Sequence, residues 1–133
     1  MFGQKGFTPV QTVLIIDDSP TFRYLLRVYL SGLPIQIAEA SDGEAGLAQV
    51  NAGEIALVIA DLRMAGMDGF EFLRQLRSHS LRAKLPVILL TSETTPGLRE
   101  EAQRLGASEF LTKPVVLARL RECVQRLLAA EPG

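Results

Sequence analysis

The sequence predicts an α/β fold: a doubly wound, five-stranded parallel sheet in the order 2-1-3-4-5, flanked by five helices. Three features carry that expectation. Short apolar runs recur five times, and longer segments between them repeat their apolar residues at helical spacing. The runs are near-continuous, as strands buried on both faces require. Most of them end abruptly on an acid, a threonine or a lysine, which suits strands that stop together at one polar edge.

The first run, Val13-Leu14-Ile15-Ile16, stops at Asp17. Ser19 then reads as a helix N-cap with Pro20 at the first helical position. Phe22, Leu25, Leu26, Tyr29 and Leu30 fall on one helical face, the face expected to pack on the sheet. A turn at Gly32-Leu33-Pro34 leads into the second run, Ile35-Gln36-Ile37-Ala38, and a helix starting at Ser41 or Asp42 runs to Asn51 and ends near Gly53. The third run, Ala56-Leu57-Val58-Ile59-Ala60, stops at Asp61, and Phe70, Leu73 and Leu76 mark a third helix with Arg74 and Arg77 pointing outward. Val87-Ile88-Leu89-Leu90 stops at Thr91 and is followed by a helix over residues 96–105 that ends at Gly106, a C′ glycine. The fifth run, Glu109-Phe110-Leu111-Thr112, meets Lys113-Pro114; Leu117, Leu120, Val124, Leu127 and Leu128 then give the last helix its apolar stripe. Residues 1–10 read as a loose arm, residues 11–130 as one domain, and residues 131–133 as a frayed end.

Composition narrows the function. The chain has 133 residues, 47% of them apolar, which suits one domain with a single core. Fourteen basic against fifteen acidic residues argue against a charge-driven partner such as bulk nucleic acid or an anionic membrane. One cysteine excludes an internal disulfide, and one histidine excludes a Cys/His zinc cluster. No apolar run approaches the ~20 residues that cross a bilayer, and the first ten residues lack a signal-peptide core, so the expected location is the cytoplasm.

The chemistry gathers at the edge where parallel strands end. Asp17 and Asp18 follow the first strand, Asp61 the third, Thr91 the fourth and Lys113 the fifth. In the order 2-1-3-4-5 the switch point lies between strands 1 and 3, where the three acids meet. Carboxylates this close need a cation or raised pKa values. Oxygen donors without His or Cys favour Mg²⁺, Mn²⁺ or Ca²⁺ over zinc. A metal, a lysine and a threonine hydroxyl around one aspartate make a clamp for a phosphoryl group, which the carboxylate can itself accept.

Four segments carry a resemblance: Leu14-Ile15-Ile16-Asp17-Asp18, then Asp61 to Gly69 (DLRMAGMDG), then Leu89-Leu90-Thr91-Ser92, then Gly106 to Pro114 (GASEFLTKP). Together they resemble a response-regulator receiver domain of the CheY-like type, over residues 11–130, with its flavodoxin-like fold. The resemblance implies that Asp61 accepts the phosphoryl group. It implies that Asp18, Asp61 and the Arg63 carbonyl bind Mg²⁺, with Asp17 acting mainly through water. Lys113 pairs with a phosphoryl oxygen, the Lys113-Pro114 bond is cis, Thr91 swings toward the phosphoryl group and Phe110 moves inward behind it. The donor is a sensor histidine kinase or a histidine phosphotransfer protein, and the effector is unassigned. Such a module is no enzyme beyond Mg²⁺-dependent self-phosphorylation and autodephosphorylation. Ala65 stands where the family usually has proline, and Phe110 where the chemotaxis prototype has tyrosine. Arg63 and Glu93 are placed to pair across the site mouth and slow attack by water.

The plainer readings are kept beside these. Asp68 before Gly69 is a turn and helix-entry residue. Cys123 is a small buried hydrophobe, His79 a surface residue near a helix C-terminus, Phe110 a half-buried aromatic, and the arginines solvated. The alternative function is a pseudo-receiver, an interaction module that is never phosphorylated. A haloacid-dehalogenase-type phosphatase would want Asp-x-Asp after the first strand, where Asp17-Asp18-Ser19 stands, and a dinucleotide binder would want Gly-x-Gly-x-x-Gly. No output segment follows Leu128, so a stand-alone regulator and a receiver from a longer protein both remain open, with Met1 favouring an authentic start. A homodimer through the last two helices is also left open.

Overall fold

The computed structural model describes residues 10–79 and 82–130. Ten elements alternate: β1 (Gln11–Ile16), α1 (Pro20–Tyr29), β2 (Ile35–Ala40), α2 (Gly43–Ala52), β3 (Ile55–Asp61), α3 (Gly69–His79), β4 (Val87–Thr91), α4 (Leu98–Arg104), β5 (Glu109–Thr112) and α5 (Leu117–Ala129). Every strand pairing is parallel and the order is β2-β1-β3-β4-β5, as the sequence predicts. The expected arm and frayed end lie outside the described residues, Val10 apart.

Period-two alternation divides the core into two layers. Leu14 and Ile16 of β1, Val58 and Ala60 of β3, and Val87 and Leu89 of β4 pack with Val50, Phe72, Leu73, Leu76 and Ala102 of α2, α3 and α4. Their neighbours Val13, Ile15, Leu57, Ile59, Ile88 and Leu90 pack with Leu26 of α1 and Leu120, Cys123 and Val124 of α5. Both faces of the inner strands are covered, which explains why these strands read as unbroken apolar runs.

Local chemistry sets the helix ends. The Ser19 hydroxyl accepts from the Phe22 amide at 3.2 Å to start α1, and the Asp42 carboxylate accepts from the Ala45 amide at 2.7 Å to start α2. Asp68 does the same for α3, accepting from the Glu71 amide at 2.9 Å. Gly106 ends α4 at φ +95°, the left-handed conformation of a C′ glycine. Gly69 is required by close approach: a Cβ there would lie 2.8 Å from the Asp61 carbonyl oxygen.

Five expectations need correction. Leu25 is 37% exposed and Leu117 46% exposed, so neither belongs to the core its periodicity suggested. Helix α4 starts at Leu98, because Gly97 at φ +93° breaks the backbone after Pro96 and offers no side-chain cap. Arg77 is half-buried and does not simply point into water. Its guanidinium donates to the carbonyls of Ala83 (2.9 Å), Leu85 (2.7 Å) and Gly106 (2.7 Å), and burial holds it below its ordinary pKa. Phe110 is fully in the core at 6% exposure, where half-burial was expected. Cys123 is buried as expected; His79 closes α3, and its side chain lies outside the description.

Candidate functional site

At the C-terminal edge of the sheet, Asp17, Asp61 and Thr91 are the buried polar residues among those described. Asp17 follows β1 and is held on three sides. Its amide donates to the Ala40 carbonyl at 3.1 Å, its carbonyl accepts from Arg23 at 2.6 Å, and its Oδ1 accepts from the Ser19 amide at 2.8 Å. Its Oδ2 is buried and has no hydrogen-bond partner among the described residues. Burial pushes the Asp17 carboxyl above its ordinary pKa. The charges of Asp61 and Asp18 add to that, while the Ser19 amide and Lys113 oppose it.

Lys113 joins the first and third strands' acids. Its Nζ lies 2.7 Å from Asp61 Oδ1 and 3.8 Å from Asp17 Oδ2. Two contacts aim it. The Lys113 amide donates to the Thr91 carbonyl at 2.7 Å, and the Nζ sits 4.0 Å from the centre of the Phe22 ring, a cation–π contact. The Lys113-Pro114 bond is cis. Thr91 is buried and its Oγ1 accepts from the Glu93 amide at 3.0 Å.

The loop from β3 to α3 closes over the same edge. Its base is fixed by the Leu62 amide on the Leu90 carbonyl and the Gly69 amide on the Leu62 carbonyl, both 2.8 Å. From it Arg63 reaches Glu93 with two hydrogen bonds, one of them Nη2 to Oε1 at 3.1 Å, and approaches Asp68 Oδ2 at 3.6 Å. This pairing holds the Glu93 carboxyl below its ordinary pKa. Asp18, by contrast, is exposed and turned toward the loop, where its Oδ2 accepts from the Ala65 amide at 3.3 Å. Phe110 lies under Arg99 of α4, whose guanidinium stands 5.3 Å from the ring centre and donates to the Phe110 carbonyl at 3.0 Å.

The structure thus pairs Lys113 with Asp61 and, at longer range, with Asp17, buries Thr91 at the end of β4, and leaves Arg63 and Asp18 exposed, Asp18 bonded to the loop from β3 to α3. No three His, Cys, Asp or Glu side chains among the described residues form a ready cage. The donors still fit a hard cation. They are oxygens only; the buried Asp17 Oδ2 has no hydrogen-bond partner among the described residues and lies 3.8 Å from Lys113 Nζ, and Asp18 bonds the loop through Oδ2. Mg²⁺ characteristically takes one or two carboxylates and keeps several waters, so it needs no closed cage.

Sequence reasoning missed Phe22 as the lysine's seat, Arg23 as the clamp on Asp17, and Arg99 as the cover of Phe110. Phe22 gave no signal because a core aromatic and a cation's seat have the same periodicity. Arg23 and Arg99 act on backbone carbonyls, which no side-chain pattern marks.

Comparison with known proteins agrees with this fold. The family model for the response regulator receiver domain matches residues 13–125. A probable chemotaxis protein CheY of Rhizobium etli is 35% identical over 119 residues, covering 89% of this chain and 92% of that protein. The transcriptional regulatory protein ZraR of Salmonella typhimurium is 32% identical over 88% of this chain but only 26% of its own length. The solved chemotaxis protein CheY4 of Vibrio cholerae superposes with a TM-score of 0.81 at 31% identity, over 90% of this chain and 99% of that one.

Proposed function

Since the chain belongs to the response regulator receiver family of two-component signalling, we propose that it receives a phosphoryl group on Asp61 from a phosphohistidine donor and thereby switches a partner-binding surface. The observation that carries this reading is the Lys113 ammonium 2.7 Å from Asp61 Oδ1, beside the buried carboxylate of Asp17. An aspartate that only capped a strand would not be given a half-buried lysine seated on an aromatic ring.

In the proposed step an Asp61 oxygen attacks the phosphorus of phosphohistidine in line. The P–N bond breaks, its electron pair returns to the imidazole nitrogen, and an acyl phosphate forms. Lys113 gives up part of its contact with the carboxylate and follows the charge onto a phosphoryl oxygen. Thr91 turns its hydroxyl from the Glu93 amide to a second oxygen. Asp18, Asp61 and the Arg63 carbonyl would hold Mg²⁺, with Asp17 through water, and the ion would neutralise charge on the phosphoryl oxygens. Hydrolysis returns Asp61 and inorganic phosphate when water attacks the same phosphorus. Apart from these self-reactions no enzymatic activity is proposed.

For the donor we propose a helical phosphohistidine protein docking on the exposed face of α1. Ser19, Thr21, Phe22, Tyr24, Leu25 and Val28 line a shallow apolar groove there, next to the seat of Lys113. No helix among the described residues is long and apolar enough to cross a membrane, and we place the module in the cytoplasm with its donor's catalytic part.

The test is intact mass after incubation with Mg²⁺ and acetyl phosphate, with Asp61→Asn as control. A gain of one phosphoryl group, dependent on Mg²⁺ and lost in the variant, is expected. No gain from acetyl phosphate or from a phosphohistidine donor, in a protein that binds Mg²⁺, would establish the pseudo-receiver instead.

A further inference from the structure

The Asp18 carboxylate is exposed, yet it is tied to one group 47 residues away, the backbone N–H of Ala65 at 3.3 Å. That bond leaves Oδ1 free and links the β1–α1 turn to the loop that carries the Arg63 carbonyl. We propose that the Ala65 amide is a positioning group for Mg²⁺ binding: it pre-orients Asp18 and sets the distance between Asp18 and the Arg63 carbonyl. The inference rests on the proposed role of Asp18 as a metal ligand.

Physical reasoning supports it. An unrestrained surface aspartate samples several rotamers, and closing it on an ion costs that freedom. A donor on its second oxygen removes part of the cost before the ion arrives, while the first oxygen stays available. A backbone donor is also a local property of residue 65. Any residue except proline supplies it, and proline, the residue the family usually has here, cannot. Ala65 is exposed and makes no core contact that a substitution would disturb.

The experiment is calorimetric titration of the metal-free protein with Mg²⁺, comparing wild type, Ala65→Gly and Ala65→Pro. A hydrogen bond to a charged acceptor, discounted for exposure, predicts that Ala65→Pro raises the Mg²⁺ dissociation constant about three- to tenfold. Ala65→Gly keeps the N–H and stays within about twofold. If loop stiffness were the controlling property, the order would reverse, with proline tightening binding and glycine weakening it; that order overturns the proposal. A second readout needs no metal. The Ala65 amide proton resonance should move upfield when Asp18→Ala removes its acceptor, and an unmoved resonance overturns the proposal as well. Failure of the wild type to bind Mg²⁺ would defeat the metal-site reading and this inference together, whereas wild-type binding with an unaffected Ala65→Pro defeats this inference alone.

Discussion

Replacing Lys113 by methionine tests the proposed chemistry most directly, because it removes the charge while keeping most of the stem over Phe22. The ammonium lies 2.7 Å from Asp61 Oδ1, so an oxygen of a phosphoryl group arriving on that carboxylate would sit about one bond further, roughly 4 Å away. At an effective dielectric of about 20, two unit charges at that separation interact by about 4 kcal/mol. If about half a charge shifts toward the lysine in the transition state, its share is about 2 kcal/mol, a factor of about 30 in rate. The assay follows the mass increase from acetyl phosphate over time at saturating Mg²⁺, with the Mg²⁺ dissociation constant measured alongside. Lys113→Met should slow phosphorylation about 30-fold at saturating Mg²⁺, while Mg²⁺ affinity should rise, because a cation that repels the ion leaves the side of Asp61 and Asp17. Lys113→Arg, with the charge retained but a planar fork in place of a point donor, should fall between the two. A Lys113→Met rate within about threefold of wild type would refute the reasoning, whatever the fate of the metal.

Arg63→Ala should shorten the lifetime of the phosphorylated form severalfold, by opening the mouth that Arg63 and Glu93 span; because that pair is exposed and screened by salt, wild-type lifetime should also fall in high salt while the variant's barely moves. Radiolabel decay reads both, and an unchanged lifetime sinks the gating role. Arg77→Met strips the donor from three backbone carbonyls and should lower unfolding stability by about 3 kcal/mol in urea titration, after discounting for partial exposure; a loss under about 1 kcal/mol would mean that water replaces the guanidinium. Glu39 is held below its ordinary pKa by hydrogen bonds from Arg27 and Arg23, so its contribution is fully present above the unfolded value near 4.5 and is lost as pH falls through the lowered folded value. Glu39→Gln should therefore cost about 1 kcal/mol at neutral pH and nothing in strong acid; an equal cost at both pH values would show that packing, not charge, is involved.

Much of the fold was legible because burial on both faces leaves a strand no freedom of pattern. Val13 to Ile16 and Val87 to Leu90 could be nothing but inner strands, and the polar residues at their ends marked the edge where they stop. Helix faces were less legible. Leu25 and Leu117 are in phase with buried leucines, but the stripe that touches the sheet is narrower than the apolar stripe in the sequence, and what overhangs is surface. Pro96 read as a first helical residue, yet the left-handed turn at Gly97 moves the start to Leu98. Within the site, the acids and Lys113 were legible from strand ends, and the Arg63–Glu93 pair from two loops known to share an edge. Arg77 was not, because its acceptors are backbone carbonyls 6, 8 and 29 residues away.

That contrast bears on how a small charge change at Asp61 could reach the surface. The core is over-determined: each inner strand is paired on two edges and packed on two faces, so no single contact controls it. The edge is built differently. Lys113 to Asp61, Arg63 to Glu93, Ala65 to Asp18 and Arg99 to Phe110 are polar ties between separate segments. Helix α4 is the shortest of the five described, seven residues with one buried side chain, Ala102, and no side-chain cap. A phosphoryl group on Asp61 would compete for Lys113 and Thr91, and Thr91 is bonded to the Glu93 amide that begins the segment leading into α4. Releasing that bond frees the segment whose far end Arg99 fastens to Phe110. The expected response is therefore a shift in the position of α4 against β5 at constant core packing, since a ligand can move only an equilibrium between states that it contacts differently.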